Sequence, residues 1–381
     1  MVPTIKIDVA NGAAITSKDE SVPCTLTIDG QGSFADYSGT ASIRGRGNST
    51  WLWYEKKPYR IELDQKSQIL GLKEDKDWVL LANYRDPTFL MNAFAFELAD
   101  WMGLPYTNHS RFVEVTLNGD YIGLYQLTEQ IEQGTNRVAV SDAGGLLLSL
   151  DEDDGPTVVP DATNNFVSLV YELPVCVKYP KSQSSVQLTA VKDDFAKVER
   201  AIEAANYDAL EPLLDIASLI DFLIVQELTY NVELATPRSM YLHKNPGERY
   251  VLGPVWDFDG GFDFDWTTMK TSHDYFAAQD FILGTDPARD ETVSPFWVNL
   301  FKNPRFVLEF KSRWATLKDT MLPHSWGVTE SYASTLSGAL ARNAQRWPIG
   351  KDPATERARM KAWLDARVIR LNSAVEGYPA M

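Results

Sequence analysis

The segment VWDFDGGFDFD (residues 255–265) alternates acidic with aromatic residues and contains no basic side chain. Its carboxylates belong to Asp257, Asp259, Asp263 and Asp265. Carboxylates favour water and aromatic rings favour burial, so something must hold these acids beside an apolar wall. Hard divalent cations take oxygen ligands, and Mg²⁺ commonly uses one or two carboxylates. The pattern predicts a metal site at Asp257 and Asp259; the alternative is an Asp-rich turn whose later members face water.

A second acidic position lies upstream, in the stretch QELTYNVELATPRSMYLHK between a predicted buried helix and a predicted hairpin. This loop contains Asn231, Glu233 and Ser239, and the second hairpin strand, RYVLGPVWDFD, ends at the acidic segment. A loop acid and a strand-end acid joined by a short hairpin have the arrangement of the catalytic and metal-holding acids of protein kinases. The spacing therefore predicts that Glu233 and Asp257 act together.

Two basic stretches could contact phosphate groups. SIRGRGNSTW (residues 42–51) reads as a strand, a glycine-rich turn and more strand, which can bring backbone N–H groups to phosphates, with Arg46 and Asn48 as candidate binding residues. KKPYRIEL follows, and a lysine at a strand near such a turn, Lys56 or Lys57, could neutralise phosphate charge. The alternatives are a tight turn with structural glycines and a solvated pair of lysines.

A predicted helix over residues 87–102 carries Glu97 on a surface that is otherwise mostly apolar. Burying a lone carboxylate is costly, so Glu97 must be paired or lie at the edge of the buried face. The functional interpretation is an ion pair with Lys57, and the alternative is an edge residue in water.

The elements that must position these residues fall into three regions of an α+β chain. Residues 1–132 read as a strand-rich lobe with one helix, because apolar residues alternate at period two. Residues 133–185 are rich in Asp, Gly, Pro and Ser and read as an irregular insertion. Residues 186–381 read as a helical lobe with a small hairpin that carries the acidic segment.

Composition and charge limit the classes of protein to which this chain can belong. The chain has 381 residues, 44% of them hydrophobic, and 11 tryptophans, which favours a packed core over disorder. Its formal net charge of −16 disfavours nucleic acid as a partner, although a small basic pocket could still bind a nucleotide. No run of about 18 apolar residues predicts a membrane span. Cys24 and Cys176 fit no metal spacing, and pairing between them is left open.

Four stretches together resemble the CotH family, named after spore coat protein H. They are RGRGNSTW…KKPYRIEL, KDWVLLANYRDPTFLMNAFAFELA, VEVTLNGDYIGLYQLTEQIE and GPVWDFD, in this order. The resemblance implies a two-lobed protein-kinase-like fold, with a strand-rich amino-terminal lobe and a mainly helical carboxy-terminal lobe. It implies an atypical kinase that binds ATP with Mg²⁺ or Mn²⁺ and phosphorylates Ser or Thr of a protein. It also implies a bacterial protein that is exported or displayed at the cell surface, with its leader absent from this chain.

The same resemblance gives roles to individual residues. Lys57 is similar to the family's phosphate-contacting lysine and Glu97 to its helix partner. Asp257 is similar to the metal-holding aspartate. The segment LTEQIE is similar to a hinge, in which Glu129 is a candidate contact on the adenosine side.

Two positions depart from the family's pattern, which usually reads Asn-x-Asp followed by a second Asn about five residues on. This chain has Asn231-Val232-Glu233, and Ser239 takes the place of the second Asn, one residue later. Serine can ligate a metal, though more weakly than an amide. The extra methylene of glutamate moves the carboxylate, and a displacement of ~1 Å can lower a rate ~100-fold.

The sequence is compatible with three hypotheses about function. The first is an active phosphotransferase in which Glu233 accepts the proton of the incoming hydroxyl. The second is a catalytically inactive binding or scaffold module. The third, a carbohydrate-associated protein, depends only on the abundant tryptophans and the paired acids.

Overall fold

The structure is a computed structural model that describes residues 1–153, 163–268, 270–277, 282–283 and 293–378. Its amino-terminal strands close into a barrel and follow one another around it in the order β1-β2-β3-β4-β5-β7-β6. The barrel strands are β1 (Thr4–Val9), β2 (Val22–Asp29), β3 (Tyr37–Gly45), β4 (Tyr59–Ser67), β5 (Asp75–Leu81), β6 (Ser110–Leu117) and β7 (Asp120–Glu129).

Strand β1 closes the barrel because it pairs on both sides. Ile5 lies opposite Ile28 of antiparallel β2 and opposite Val115 of parallel β6. The alternating residues Ile5 and Ile7 are buried in the barrel interior. The predicted α+β fold of the two-lobed protein-kinase type is therefore wrong, since these strands form a closed mixed barrel and not the strand-rich lobe of a kinase. Period-two alternation shows which side chains face the core, but it does not reveal strand order or closure.

A second, antiparallel sheet has the strand order β12-β11-β8-β10-β9. Its strands are β8 (Leu146–Leu150), β9 (Asn165–Val167), β10 (Pro174–Tyr179), β11 (Met240–Lys244) and β12 (Val251–Leu252). Strand β11 pairs with β8 from Met240 opposite Leu150 to Lys244 opposite Leu146. This pairing anchors the hairpin that precedes the acidic segment. The domain boundaries at residues 132 and 185 stay predictions.

The remaining elements are helices, of which the described ones include none long and apolar enough to cross a membrane. The α-helices are α1 (Ser49–Trp53), α2 (Met91–Met102), α3 (Ser185–Glu203), α4 (Tyr207–Leu210), α5 (Ile216–Leu228), α6 (Pro295–Val298), α7 (Pro304–Leu317), α8 (Met321–Arg346) and α9 (Pro353–Glu376). Short 3₁₀ turns cover Ala10–Gly12, Val232–Leu234, Trp266–Thr268 and Asn299–Lys302. Helix α5 is apolar nearly all round and buried, as its sequence predicts.

Helix α2 connects the barrel to the acidic segment. It begins later than predicted, because the Asp86 carboxylate accepts from the backbone N–H of Thr88 at 2.7 Å and of Met91 at 2.9 Å, which fixes a turn before the helix. Phe96 stacks on Trp256 with ring centroids 5.7 Å apart. The aromatic residues of the acidic segment are therefore buried against a helix that comes from a distant part of the sequence.

Candidate functional site

A polar cavity of about 310 Å³ opens where the barrel, α2 and the second sheet meet. The predicted site residues that line it are Arg46, Asn48, Glu233, Ser239, Asp257 and Asp259. Its basic residues are Lys18, Arg44, Arg46, Arg60, Arg85 and Arg238. A strongly acidic chain therefore collects basic side chains around one group of carboxylates.

Burial and mutual repulsion disfavour the charged forms of two carboxyl groups in this cavity. Burial, and then repulsion from the Asp259 carboxylate, raises the pKa of Asp257 to about 7. Burial, and then the charges of Asp257 and Asp259, raises the pKa of Glu233 well above its usual range. The Glu233 Oε2 atom is buried and has no hydrogen-bond partner among the residues that the structure describes. An added cation or donor would therefore stabilise this cluster.

The backbone holds Asp257 at the cavity wall. Asp257 has a φ of 66°, in the left-handed region that a non-glycine residue seldom adopts. The next residue, Phe258, is held through both its backbone and its side chain. Its backbone N–H donates to Asn92 Oδ1 at 2.9 Å, and its ring is fully buried. Ser239 also has a positive φ, of 55°. Both residues line the cavity, so part of its wall has a backbone conformation that costs free energy for a residue with a side chain.

Two arginines, the buried Arg85 and the half-buried Arg46, supply positive charge. The Arg85 Nη1 atom lies 4.0 Å from Asp259 Oδ1, and Nη2 donates to Ser49 Oγ at 3.1 Å. Burial lowers the pKa of Arg85, but Asp259, Asp257 and two tyrosines together outweigh burial, so the pKa lies above its usual value. Its Nε atom has no hydrogen-bond partner in the described part of the chain. Arg46 lies over the Trp256 ring, 5.3 Å from the centroid.

Asn48 lies at the mouth of the cavity. It accepts from Lys18 Nζ at 2.7 Å and donates to Asp153 at 3.2 Å, so it joins two loops that border the opening. The side chain of Arg238 contacts Glu152 at 2.7 Å on the same border.

A family model described as "CotH kinase protein" matches residues 43–369. The chain belongs to the CotH family. A search of curated proteins finds no match. The match to CotH covers the barrel from the end of β3, the second sheet, and most of the helices, and so includes the residues named above that line the cavity from Arg44 onward.

The CotH resemblance also gave roles to Lys57, Glu97 and Glu129, and the structure places none of these three described residues at the cavity. Lys57 Nζ donates to the Trp51 carbonyl at 2.5 Å, and Glu97 Oε1 accepts from Tyr332 at 2.7 Å. The predicted ion pair of Lys57 with Glu97 is therefore not formed. Glu129 is buried, where its carboxylate accepts from the backbone N–H of His109 at 2.6 Å.

Lys56, the neighbour of Lys57, extends into the interior of the protein. Lys56 is fully buried and donates to the carbonyl of Ala82 at 2.8 Å, to Asn343 Oδ1 at 3.0 Å and to the carbonyl of Leu124. Burial lowers the pKa of Lys56 well below its usual value. These contacts join the barrel to α8, so Lys56 has a structural role in this CotH protein.

Sequence reasoning missed two residues of the CotH site, Arg85 and Asn92. Both lie in the stretch NYRDPTFLMNAF that carried part of the resemblance. A polar asparagine within an otherwise apolar helix is a usable signal, because a buried amide needs hydrogen-bond partners. Asn92 is buried and accepts from the acidic segment, as that signal indicates.

The pair of His109 and Glu129 predicts a pH dependence of stability. A hydrogen bond that His109 Nδ1 donates to the Glu129 carboxylate, at 3.1 Å, raises the pKa of His109 above its usual value. Its contribution to stability is therefore fully present below about pH 6.5 and is lost as pH rises through the raised pKa. We expect His109→Gln to lower the melting temperature at about pH 6 more than at about pH 9. Burial lowers the pKa of His243, so His243→Gln serves as a control of opposite sign. Equal losses at both pH values for His109→Gln would contradict the prediction.

Proposed function

We propose that this CotH protein binds ATP with a divalent cation and transfers phosphate to a Ser or Thr hydroxyl of a protein. One observation carries the proposal: Glu233, Asp257 and Asp259 share a cavity with the buried Arg85 and the half-buried Arg46, and an oxygen of Glu233 has no partner among the described residues. Carboxylates for a metal, arginines for phosphate and a buried acid are the components that phosphoryl transfer requires.

The residues present fit a divalent cation. No group of three or more acidic, His or Cys ligands occurs within the described ranges. Mg²⁺ keeps waters and takes one or two carboxylates together with substrate phosphates, so Asp257 and Asp259 suffice, with Ser239 as a further oxygen donor. When bound, the cation would neutralise phosphate charge. Mn²⁺ suits the same oxygen ligands.

Arg46 and Arg85 fit the phosphates of the nucleotide. A guanidinium binds phosphate through two parallel hydrogen bonds and stays charged when buried. The unpartnered Nε of Arg85 is a donor that still needs an acceptor. These arginines replace Lys57 in the role that the resemblance gave to a lysine.

Glu233 fits the acceptor of the hydroxyl proton. Its 3₁₀ turn is capped by Asn231, whose Oδ1 accepts from Glu233 N at 3.3 Å, so the backbone of the acid is fixed. A raised pKa brings a carboxyl group toward the range in which it can exchange a proton near neutral pH.

The second candidate function is a catalytically inactive binding or scaffold module that uses the same cavity. The replacement of aspartate by Glu233 and of asparagine by Ser239 favours it. Both functions predict nucleotide binding, and only the first predicts transfer. Export to the cell surface remains part of the proposal through the family resemblance alone.

Substitution of two nearby acids tests the site. We expect Asp257→Asn to weaken Mg²⁺-dependent ATP binding at least ~10-fold, a typical loss when the shell of a metal site is altered. The control, Asp265→Asn, should change it less than ~2-fold, because Asp265 accepts from Thr267 and Thr268 and does not line the cavity. Isothermal titration calorimetry of ATP with and without Mg²⁺ measures both. Equal losses, or none, would refute a metal site at Asp257.

A further inference from the structure

Gly260 lies against the carboxyl group of Glu233. A Cβ atom at position 260 would stand 3.2 Å from Glu233 Oε1 and 2.8 Å from Trp266 Cζ2. Gly260 is not one of the residues with a positive φ, so its backbone conformation is open to alanine. Position 260 therefore needs glycine because Glu233 and Trp266 occupy the space that a side chain would fill.

The indole of Trp266 is the more rigid of these two neighbours. It packs edge-on against Phe264 with centroids 5.2 Å apart, and Arg85 lies 5.5 Å from its ring centroid. The Glu233 carboxyl is the end of a flexible side chain, and its Oε2 has no partner among the described residues. A methyl group at position 260 would overlap the indole at 2.8 Å and press on the carboxyl group at 3.2 Å, and of these two neighbours the carboxyl group moves aside more easily.

We propose that Gly260 is a positioning residue for Glu233: the missing side chain at 260 sets where the longer acid places its carboxyl group. The space left at 260 gives the longer acid the room that its carboxyl group occupies. The inference depends on the proposed function for its effect on phosphotransfer, but not for its effect on stability.

The geometry predicts that two substitutions compensate each other. Gly260→Ala fills the space that the Glu233 carboxyl occupies. Glu233→Asp withdraws the carboxyl group by one methylene and restores room for the methyl group. Glu233→Asp should therefore reduce activity in the wild-type background and change it little further in the Gly260→Ala background.

The activity experiment measures kcat for phosphotransfer to casein and KM for ATP. We expect Gly260→Ala to lower kcat about 100-fold with little change in KM, and the double variant Gly260→Ala/Glu233→Asp to be about as active as Glu233→Asp alone. Gly261→Ala is the matched control: its added Cβ would meet the Thr229 carbonyl at 3.0 Å and the Phe258 carbonyl at 3.4 Å, and Glu233 is not among its nearest neighbours. Glu233→Asp should lower the activity of Gly261→Ala by the same factor as it lowers that of the wild type.

Melting temperatures of the same variants separate this inference from the proposed function. Gly260→Ala should lower the melting temperature by several degrees and the double variant should regain part of it, whether or not the protein transfers phosphate. A wild type without transfer activity that shows this thermal coupling refutes the proposed function and supports the position of Gly260. If Gly260→Ala does not fold, the double variant is expected to fold. Absence of compensation in melting temperature, or failure of both variants to fold, would overturn the inference.

Discussion

Glu233→Gln is expected to reduce phosphotransfer by about 10²–10⁴-fold, the range that a positioned proton acceptor contributes. The amide keeps the shape of the side chain and loses the capacity to take a proton. Affinity for ATP with Mg²⁺ should change little, because Asp257, Asp259 and the arginines remain in the cavity. The measurement is autophosphorylation and phosphorylation of casein, with binding followed by calorimetry.

Glu233→Asp refines this expectation. The shorter acid retains a proton acceptor but holds it ~1 Å or more from its place, so activity should fall about 100-fold and not rise. Asp265→Asn is the control for removal of an acid from outside the cavity. Undiminished activity of Glu233→Gln would remove Glu233 from the mechanism. A wild type that binds ATP and transfers nothing would instead favour the inactive binding module.

Lys56→Met is expected to lower the free energy of unfolding by about 2–4 kcal/mol. Methionine fills a similar volume, but it leaves the carbonyls of Ala82 and Leu124 buried without the ammonium donor. The third acceptor, Asn343, retains a hydrogen bond from the backbone N–H of Leu124 at 3.1 Å. Release of a buried charge offsets part of this loss.

Lys57→Met is the matched control for Lys56→Met. Lys57 is partly exposed, and among the described residues it donates to the neighbouring Trp51 carbonyl alone, so its replacement should change stability by less than about 0.5 kcal/mol. Guanidinium chloride denaturation of both variants measures the difference. A larger loss of stability from Lys57→Met than from Lys56→Met would contradict the structural role of Lys56. A loss of ATP binding in Lys57→Met would show that Lys57 contributes to the nucleotide site.

The acidic residues that line the cavity were easier to predict from the sequence than its basic residues. Glu233 and Asp257 were predictable because both follow from one local pattern, a loop and a hairpin end. The choice between Lys56 and Lys57 was not, since both precede β4 and are outside its alternation. Contacts with Asn343, far along the chain, decide which lysine is buried. Arg85 is likewise fixed by the distant Asp259.

In the fold, too, local features were predictable from the sequence and long-range ones were not. Alternation predicted that residues such as Ile5, Ile7, Ile61 and Leu63 face a core, and these side chains are buried. Closure depends on which strands are neighbours, and no local pattern specifies the pairing of β1 with β6. For that reason individual strands could be predicted from the sequence and the barrel could not.

The parallel pairing of β1 with β6 bears on how the protein can be divided into fragments. The region that matches the family begins at residue 43, so it omits β1, β2 and most of β3. A fragment that starts there would leave β6 without β1 and β4 without most of β3, exposing backbone donors and acceptors that invite aggregation. The stretch that identifies the family is thus shorter than the stretch that must fold together.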